Sequence, residues 1–149
     1  MYTHILVSTD GSELAQNGVD HGLSLAKALG SKVTIVTVTE VMPISSVATA
    51  AGWVATPVDF ENYDASQKEF ASNILSTAKA SAEKMGIDVN TVHVPDALPA
   101  SAIVDSAQKY GCNLIVMASH GRRGIKRLLL GSQTSEVLST ATIPVLVVK

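Results

Sequence analysis

Leu114-Ile115-Val116-Met117 is an apolar run that opens directly into Ala118-Ser119-His120-Gly121-Arg122-Arg123-Gly124-Ile125-Lys126-Arg127-Leu128-Leu129-Leu130-Gly131-Ser132. The first four residues predict a buried strand. The glycines and the four basic residues predict a loop, and Gly131-Ser132 predicts the start of a helix. A buried strand, a loop and a helix in that order form the unit from which α/β folds are assembled. The same stretch gathers bare backbone N–H groups, positive charge and a helix N-terminus, which are the components of a phosphate cradle.

Four further apolar, β-branched runs lie outward from it, at residues 5–8, 33–39, 89–94 and 144–148. Helical periodicity separates them. In residues 12–29, Ala15, Val19, Gly22, Leu23, Ala26 and Leu29 share a face, and Gly30 supplies a stop. Residues 59–85 repeat the pattern through Phe60, Tyr63, Phe70, Ile74, Ala78 and Met85 before Gly86. A third helix is expected over 99–110, with Pro99 in the first turn where its missing N–H costs little, and a fourth over 132–140. Strands apolar on both faces, alternating with helices, predict an α/β fold: a single-domain, open five-stranded parallel sheet covered by helices on both faces.

Right-handed crossovers can cover both faces only if the winding reverses once. The compact solution places the first strand centrally and gives the order 3-2-1-4-5. Ligands in such sheets bind beyond the strand C-termini at the switch point, here between Ser8-Thr9-Asp10-Gly11 and the loop that begins at Gly121. Residues 40–58 break the alternation. They are long for an αβ connection and rich in apolar residues, including Trp53, so they read as a lid, a partner-facing flap or a poorly ordered loop.

Composition limits what the chain can be. Its 149 residues suit one domain with a substantial core, and 46% hydrophobic against 16% charged residues argues against disorder. A net charge of −2 argues against bulk nucleic-acid binding, so the basic run is read as a local site. No stretch approaches the ~18 apolar residues of a membrane span, and no basic-then-apolar signal segment opens the sequence; a soluble cytoplasmic protein is expected. Cys112, alone in an apolar run, reads as a buried inert thiol.

Among the candidate residues, Gly121, Gly124 and Gly131 offer unobstructed backbone donors, and Ser132 is the expected N-cap of the last helix, where roughly half a positive charge resides. The competing reading is that Ser132 and Thr134 cap the helix and the glycines turn the chain. Of Arg122, Arg123, Lys126 and Arg127, one or two are expected to reach a ligand. Asp10 has two readings: acceptor for an adenine amino group or a ribose hydroxyl, or cap of the first helix as half of an Asp10-x-x-Glu13 pair. His4, His21, His93 and His120 form no metal spacing. Only His120 lies where a ligand contact is expected; the others read as surface or edge residues. Neither a nucleophile–base constellation nor a Walker sequence is present, which argues against a motor-type NTPase.

Taken together, Ile5-Leu6-Val7-Ser8-Thr9-Asp10-Gly11-Ser12, Leu114-Ile115-Val116-Met117, Ser119-His120-Gly121-Arg122-Arg123-Gly124, Leu129-Leu130-Gly131-Ser132 and Pro144-Val145-Leu146-Val147-Val148 resemble the universal stress protein family over the whole chain, with 40–58 as the variable part. The nucleotide-binding branch of that family carries Gly-x2-Gly-x9-Gly-Ser/Thr. Gly121 matches its second glycine and Gly131-Ser132 its end, while Ala118 replaces the first. The resemblance implies ATP, ADP or AMP as cofactor, with or without magnesium. It places Asp10 and Val38 at adenine, Gly121, Arg122, Gly131, Ser132, Gln133 and Thr134 at ribose and phosphates, and Thr9 and Met117 in the same crevice. It also implies a homodimer through the last strand and a regulatory output through a client protein in the stress response, with no catalytic residue assigned. A nucleotide-free dimeric interaction protein and a slow ATPase are the alternatives.

Overall fold

The computed structural model describes residues 1–121 and 129–149. Its elements are β1 (His4–Ser8), α1 (Glu13–Leu29), β2 (Lys32–Val38), α2 (Ser46–Ala50), α3 (Pro57–Lys84), β3 (Val89–Val94), α4 (Pro99–Lys109), β4 (Leu114–Ala118), α5 (Ser132–Thr140) and β5 (Val145–Val148). The sheet is wholly parallel with the order β3-β2-β1-β4-β5, the compact solution expected from the sequence.

Alternation along β1 explains how the sheet is covered. Ile5 and Val7 point to one face, where they pack with Val19 and Leu23 of α1 and Leu75 and Ala78 of α3. Leu6 points to the other face and packs with Ile103 and Ala107 of α4 and Val137 of α5. The in-register neighbours of Val7 are Ile35 and Val116, all three without exposed surface. Helix α1 lies close against the sheet because two of its residues lack side chains. A Cβ on Gly22 would stand 2.6 Å from Val7 Cγ2, and one on Gly18 would stand 3.3 Å from the Ala118 backbone nitrogen.

The structure corrects several expectations. Leu29, assigned to the buried face of the first helix, is 48% exposed, because α1 ends there at the left-handed Gly30, whose N–H returns to the Ala26 carbonyl. Helix α3 begins before residue 59: Thr56 and Asp59 form a reciprocal capping box around Pro57. Its core-facing residues are Ala71, Ile74, Leu75, Ala78 and Ala82, while Phe60, Tyr63, Phe70 and Met85 are only half-buried. Within residues 40–58 the chain makes the short α2 and leaves Val41, Ile44, Trp53 and Val54 exposed.

His4 is neither a surface nor an edge residue. It sits half-buried at the start of the central strand, with Nε2 2.9 Å from Thr34 Oγ1, and burial lowers its pKa, aided by the nearby Lys32. His93, on the edge strand β3, is lowered chiefly by burial too, and its Nε2 lies 2.7 Å from Thr39 Oγ1. Both rings bind protons less readily folded than unfolded. Their contribution to stability is therefore complete above the unfolded value of about 6.5 and is lost as pH falls through the lowered folded values. Melting scans from pH 7.5 to pH 5 are expected to show falling Tm, with a shallower fall in a His4→Gln/His93→Gln variant. Cys112 is buried, and desolvation raises its thiol to about 11. Iodoacetamide at pH 8 is expected to leave it unlabelled in the folded protein and to label it in guanidinium; equal labelling rates would contradict the burial.

Candidate functional site

The site begins where β1 and β4 end side by side and the helices that follow them, α1 and α5, pass to opposite faces of the sheet. After β1, the Thr9 N–H donates to the Val36 carbonyl at 3.0 Å, and Thr37 Oγ1 donates to the Thr9 carbonyl at 2.5 Å. Asp10 Oδ1 accepts from the Ser12 N–H at 3.0 Å, and Thr9 Oγ1 accepts from the Gly11 N–H at 3.2 Å. Gly11 has a φ of +78°, and a Cβ there would approach Ile74 Cγ1 to 2.7 Å, so both conformation and space call for glycine. Ser12 is the N-cap of α1, its Oγ accepting from the Ala15 N–H at 3.1 Å. The capping reading of Asp10 therefore falls. Asp10 shapes the turn instead, with its carboxylate against Gly121, where a Cβ would come within 2.8 Å of Oδ2.

The other wall is the start of α5. Gly131, not Ser132, is the N-cap, with φ −62° and ψ 155° and no side chain completing the cap. Ser132 is the first helical residue, a correction that leaves no residue of this end in a capping box. The first intrahelical bond is from the Ser135 N–H to the Gly131 carbonyl at 3.0 Å, so the N–H groups of Ser132, Gln133 and Thr134 have no intrahelical acceptor. Two side chains expected at a ligand have structural partners. Thr134 Oγ1 donates to the carbonyls of Ala118 and Ser119 at 3.0 and 3.2 Å, and Gln133 Oε1 accepts from the Ala100 N–H at 3.1 Å. Gln133 thereby caps α4, whose own N-cap residue, Leu98, makes no side-chain cap bond.

Between the walls is a cleft of about 410 Å³. Thr9, Asp10, Val38, Met117, Gly121, Gly131, Ser132, Gln133 and Thr134 all line it. Arg122, together with Arg123, Gly124, Lys126 and Arg127, lies outside the described residues. The cleft also takes in Thr37, Thr39, Glu40, Tyr63, Gln67, Phe70, Ile103 and His120. Of these, Tyr63, Gln67 and Phe70 recur at i, i+4 and i+7 on α3, the spacing that marks one helix face. That spacing was the available signal for a wall supplied by α3. The cleft is apolar at Val38, Met117, Ile103 and Phe70, and has backbone donors at its α5 end. Such a combination suits a ligand with a flat apolar part and an anionic part.

Ala118 lies in regular extended geometry, paired with Val148 on β5; Asp96 is the only non-glycine with positive φ among the described residues. Its methyl therefore introduces no backbone strain.

The profile of the Universal stress protein family matches residues 1–149. The chain belongs to the universal stress protein family. Universal stress protein MJ0531 of Methanocaldococcus jannaschii is 32% identical over all of this chain and 83% of its own length. The solved structure of MJ0577 of the same organism superposes with a TM-score of 0.78 at 29% identity, covering 100% of this chain and 96% of that one. A universal stress protein crystallised in complex with cAMP has a TM-score of 0.69 at 25% identity, over 99% of this chain and 96% of its own. Among the described residues, no helix of this universal stress protein is long and apolar enough to cross a membrane.

Proposed function

We propose that this universal stress protein is a cytoplasmic regulatory module that binds an adenine nucleotide, ATP or its ADP and AMP forms, and acts in the stress response by altering its binding to a client protein. The observation that carries this reading is the cleft itself, in which an apolar slot at Val38 and Met117 leads to the first turn of α5, whose N–H groups have no intrahelical acceptor, beside Gly121. Asp10 and Val38 hold adenine. Thr9 and Met117 flank it. Gly121, Gly131 and the backbone N–H groups of Ser132, Gln133 and Thr134 face ribose and phosphates, with Arg122 adding charge. The cAMP-bound relative supports an adenine ligand in this fold.

Magnesium fits only in company with phosphates. Among the described residues no three His, Cys, Asp or Glu side chains converge on one point, while Asp10 and Glu40 give the cleft two carboxylates. Mg²⁺ is commonly held by one or two carboxylates plus substrate phosphates. Binding without efficient turnover is the expected behaviour, since the resemblance assigns no catalytic base. Homodimerisation is assigned to β5, an edge strand whose Leu146 is 39% exposed. The exposed apolar side chains at Val41, Ile44, Trp53 and Val54 favour a second reading, a client-binding protein that works without nucleotide.

Calorimetry separates the two. Titration with ATP, ADP and AMP is expected to give saturable heat near one nucleotide per chain. Flat traces for all three, together with no nucleotide released from protein purified from its native source, would remove the nucleotide reading and leave the second.

A further inference from the structure

The geometry points to His120 as a positioning residue for the phosphate end of the cleft, a role that rests on the nucleotide reading above. The imidazole joins two stretches of chain. Nδ1 lies 3.0 Å from Ser119 Oγ at the end of β4, and Nε2 is hydrogen-bonded to the carbonyl of Leu129, two residues before the N-cap of α5. A carbonyl can only accept, so Nε2 carries the proton; in the neutral ring Nδ1 then accepts from the Ser119 hydroxyl. Ser119 is itself fixed. Its N–H donates to the Val148 carbonyl at 2.8 Å, and its carbonyl accepts from the Gly131 N–H at 2.8 Å and from Thr134 Oγ1 at 3.2 Å. The end of β4 is thus an anchor, and His120 extends that anchor to Leu129. Gly131 rests against the same residue, for a Cβ built on it would lie 3.4 Å from His120 Cα and 3.9 Å from its Cδ2. By fixing the approach from Leu129 to Gly131, the ring sets where the N–H groups of Ser132, Gln133 and Thr134, which have no intrahelical acceptor, point.

The test compares three variants with wild type against ATP and against adenosine, which has no phosphate. His120→Ala is expected to weaken ATP about tenfold, the effect of losing one positioning hydrogen bond, and to change adenosine by less than about twofold. His120→Gln places an amide N–H near the site of Nε2 and is expected to restore ATP affinity to within about threefold. His120→Asn reproduces only the Nδ1 position, falls short of Leu129 and is expected to behave as alanine does. A glutamine variant no tighter than alanine, or an asparagine variant equal to wild type, overturns the assignment. Amide hydrogen exchange at Gly131 gives a second readout that needs no ligand. It should speed up in His120→Ala and remain slow in His120→Gln, and an unchanged rate in His120→Ala overturns the assignment. If the wild type binds neither ATP nor adenosine, the nucleotide reading fails and the exchange rates still decide what His120 holds.

Discussion

Gly131→Val is expected to weaken ATP binding at least about a hundredfold, equivalent to about 2.7 kcal/mol, while the protein still folds. The backbone at Gly131 has φ −62°, which valine adopts without strain, so the effect comes from space alone. A Cβ at this position would lie 3.2 Å from the Ser119 carbonyl oxygen and 3.4 Å from His120 Cα. The first atom belongs to the hydrogen bond that the Gly131 N–H makes at 2.8 Å, so the start of α5 must move to relieve the crowding. The branched γ-carbons of valine add bulk where phosphates are assigned. Valine is also a poor N-cap, costing about 1 kcal/mol relative to good caps, and a Tm drop of about 2–4 °C is expected alongside. Calorimetry with ATP and a melting scan on the same sample separate the two effects. Retention of affinity within about threefold of wild type would show that phosphates lie elsewhere.

Leu23→Ala tests the core rather than the site. Leu23 has no exposed surface and is packed among Ile5, Val7, Val19 and Val116, where α1 meets β1 and β4. Truncating a buried leucine costs about 2–5 kcal/mol, the transfer term plus that of the cavity left behind. Against a typical stability of about 5–15 kcal/mol, this is a large fraction. A Tm lower by on the order of 10 °C is expected, with the denaturant midpoint reduced and the slope unchanged. ATP affinity at 15 °C, where the variant remains folded, is expected to match wild type. A loss under about 1 kcal/mol would mean that the helix is not closely packed at this position.

Much of the fold is legible because it follows from period and handedness. Ile5, Leu6 and Val7 are apolar in succession because each has a helix layer above it, and that pattern demanded a sheet covered on both sides. Right-handed crossovers require one reversal of winding, 3-2-1-4-5 is the compact order among those that satisfy it, and that order places the cleft. Less legible were features that depend on how far the sheet extends beneath a helix. Leu29 has the right spacing for burial, but α1 has by then passed the core. On α3 the same stripe serves two purposes: Ile74 and Ala78 face the core, whereas Tyr63 and Phe70 face the cleft. Local signals for caps were also ambiguous. Asp10 and Ser12 are both good N-cap types, and only the hydrogen bond from the Ala15 N–H distinguishes them. The bond between Gln133 and Ala100 spans 33 positions and left no local trace in the sequence.

Gly18 shows how a residue outside the cleft sets its dimensions. It allows the second turn of the α1 backbone to rest on β4 at Met117 and Ala118, and three residues earlier the same helix presents Ala15 to the cleft wall. The separation of helix from strand at Gly18 is therefore the lever arm for the position of Ala15. A methyl added at Gly18 would press on the backbone of Met117 and Ala118 and lift α1 by a few tenths of an ångström, moving Ala15 at the cleft wall by a comparable amount. The gauge of the pocket is set on its far side, by a side chain that is absent.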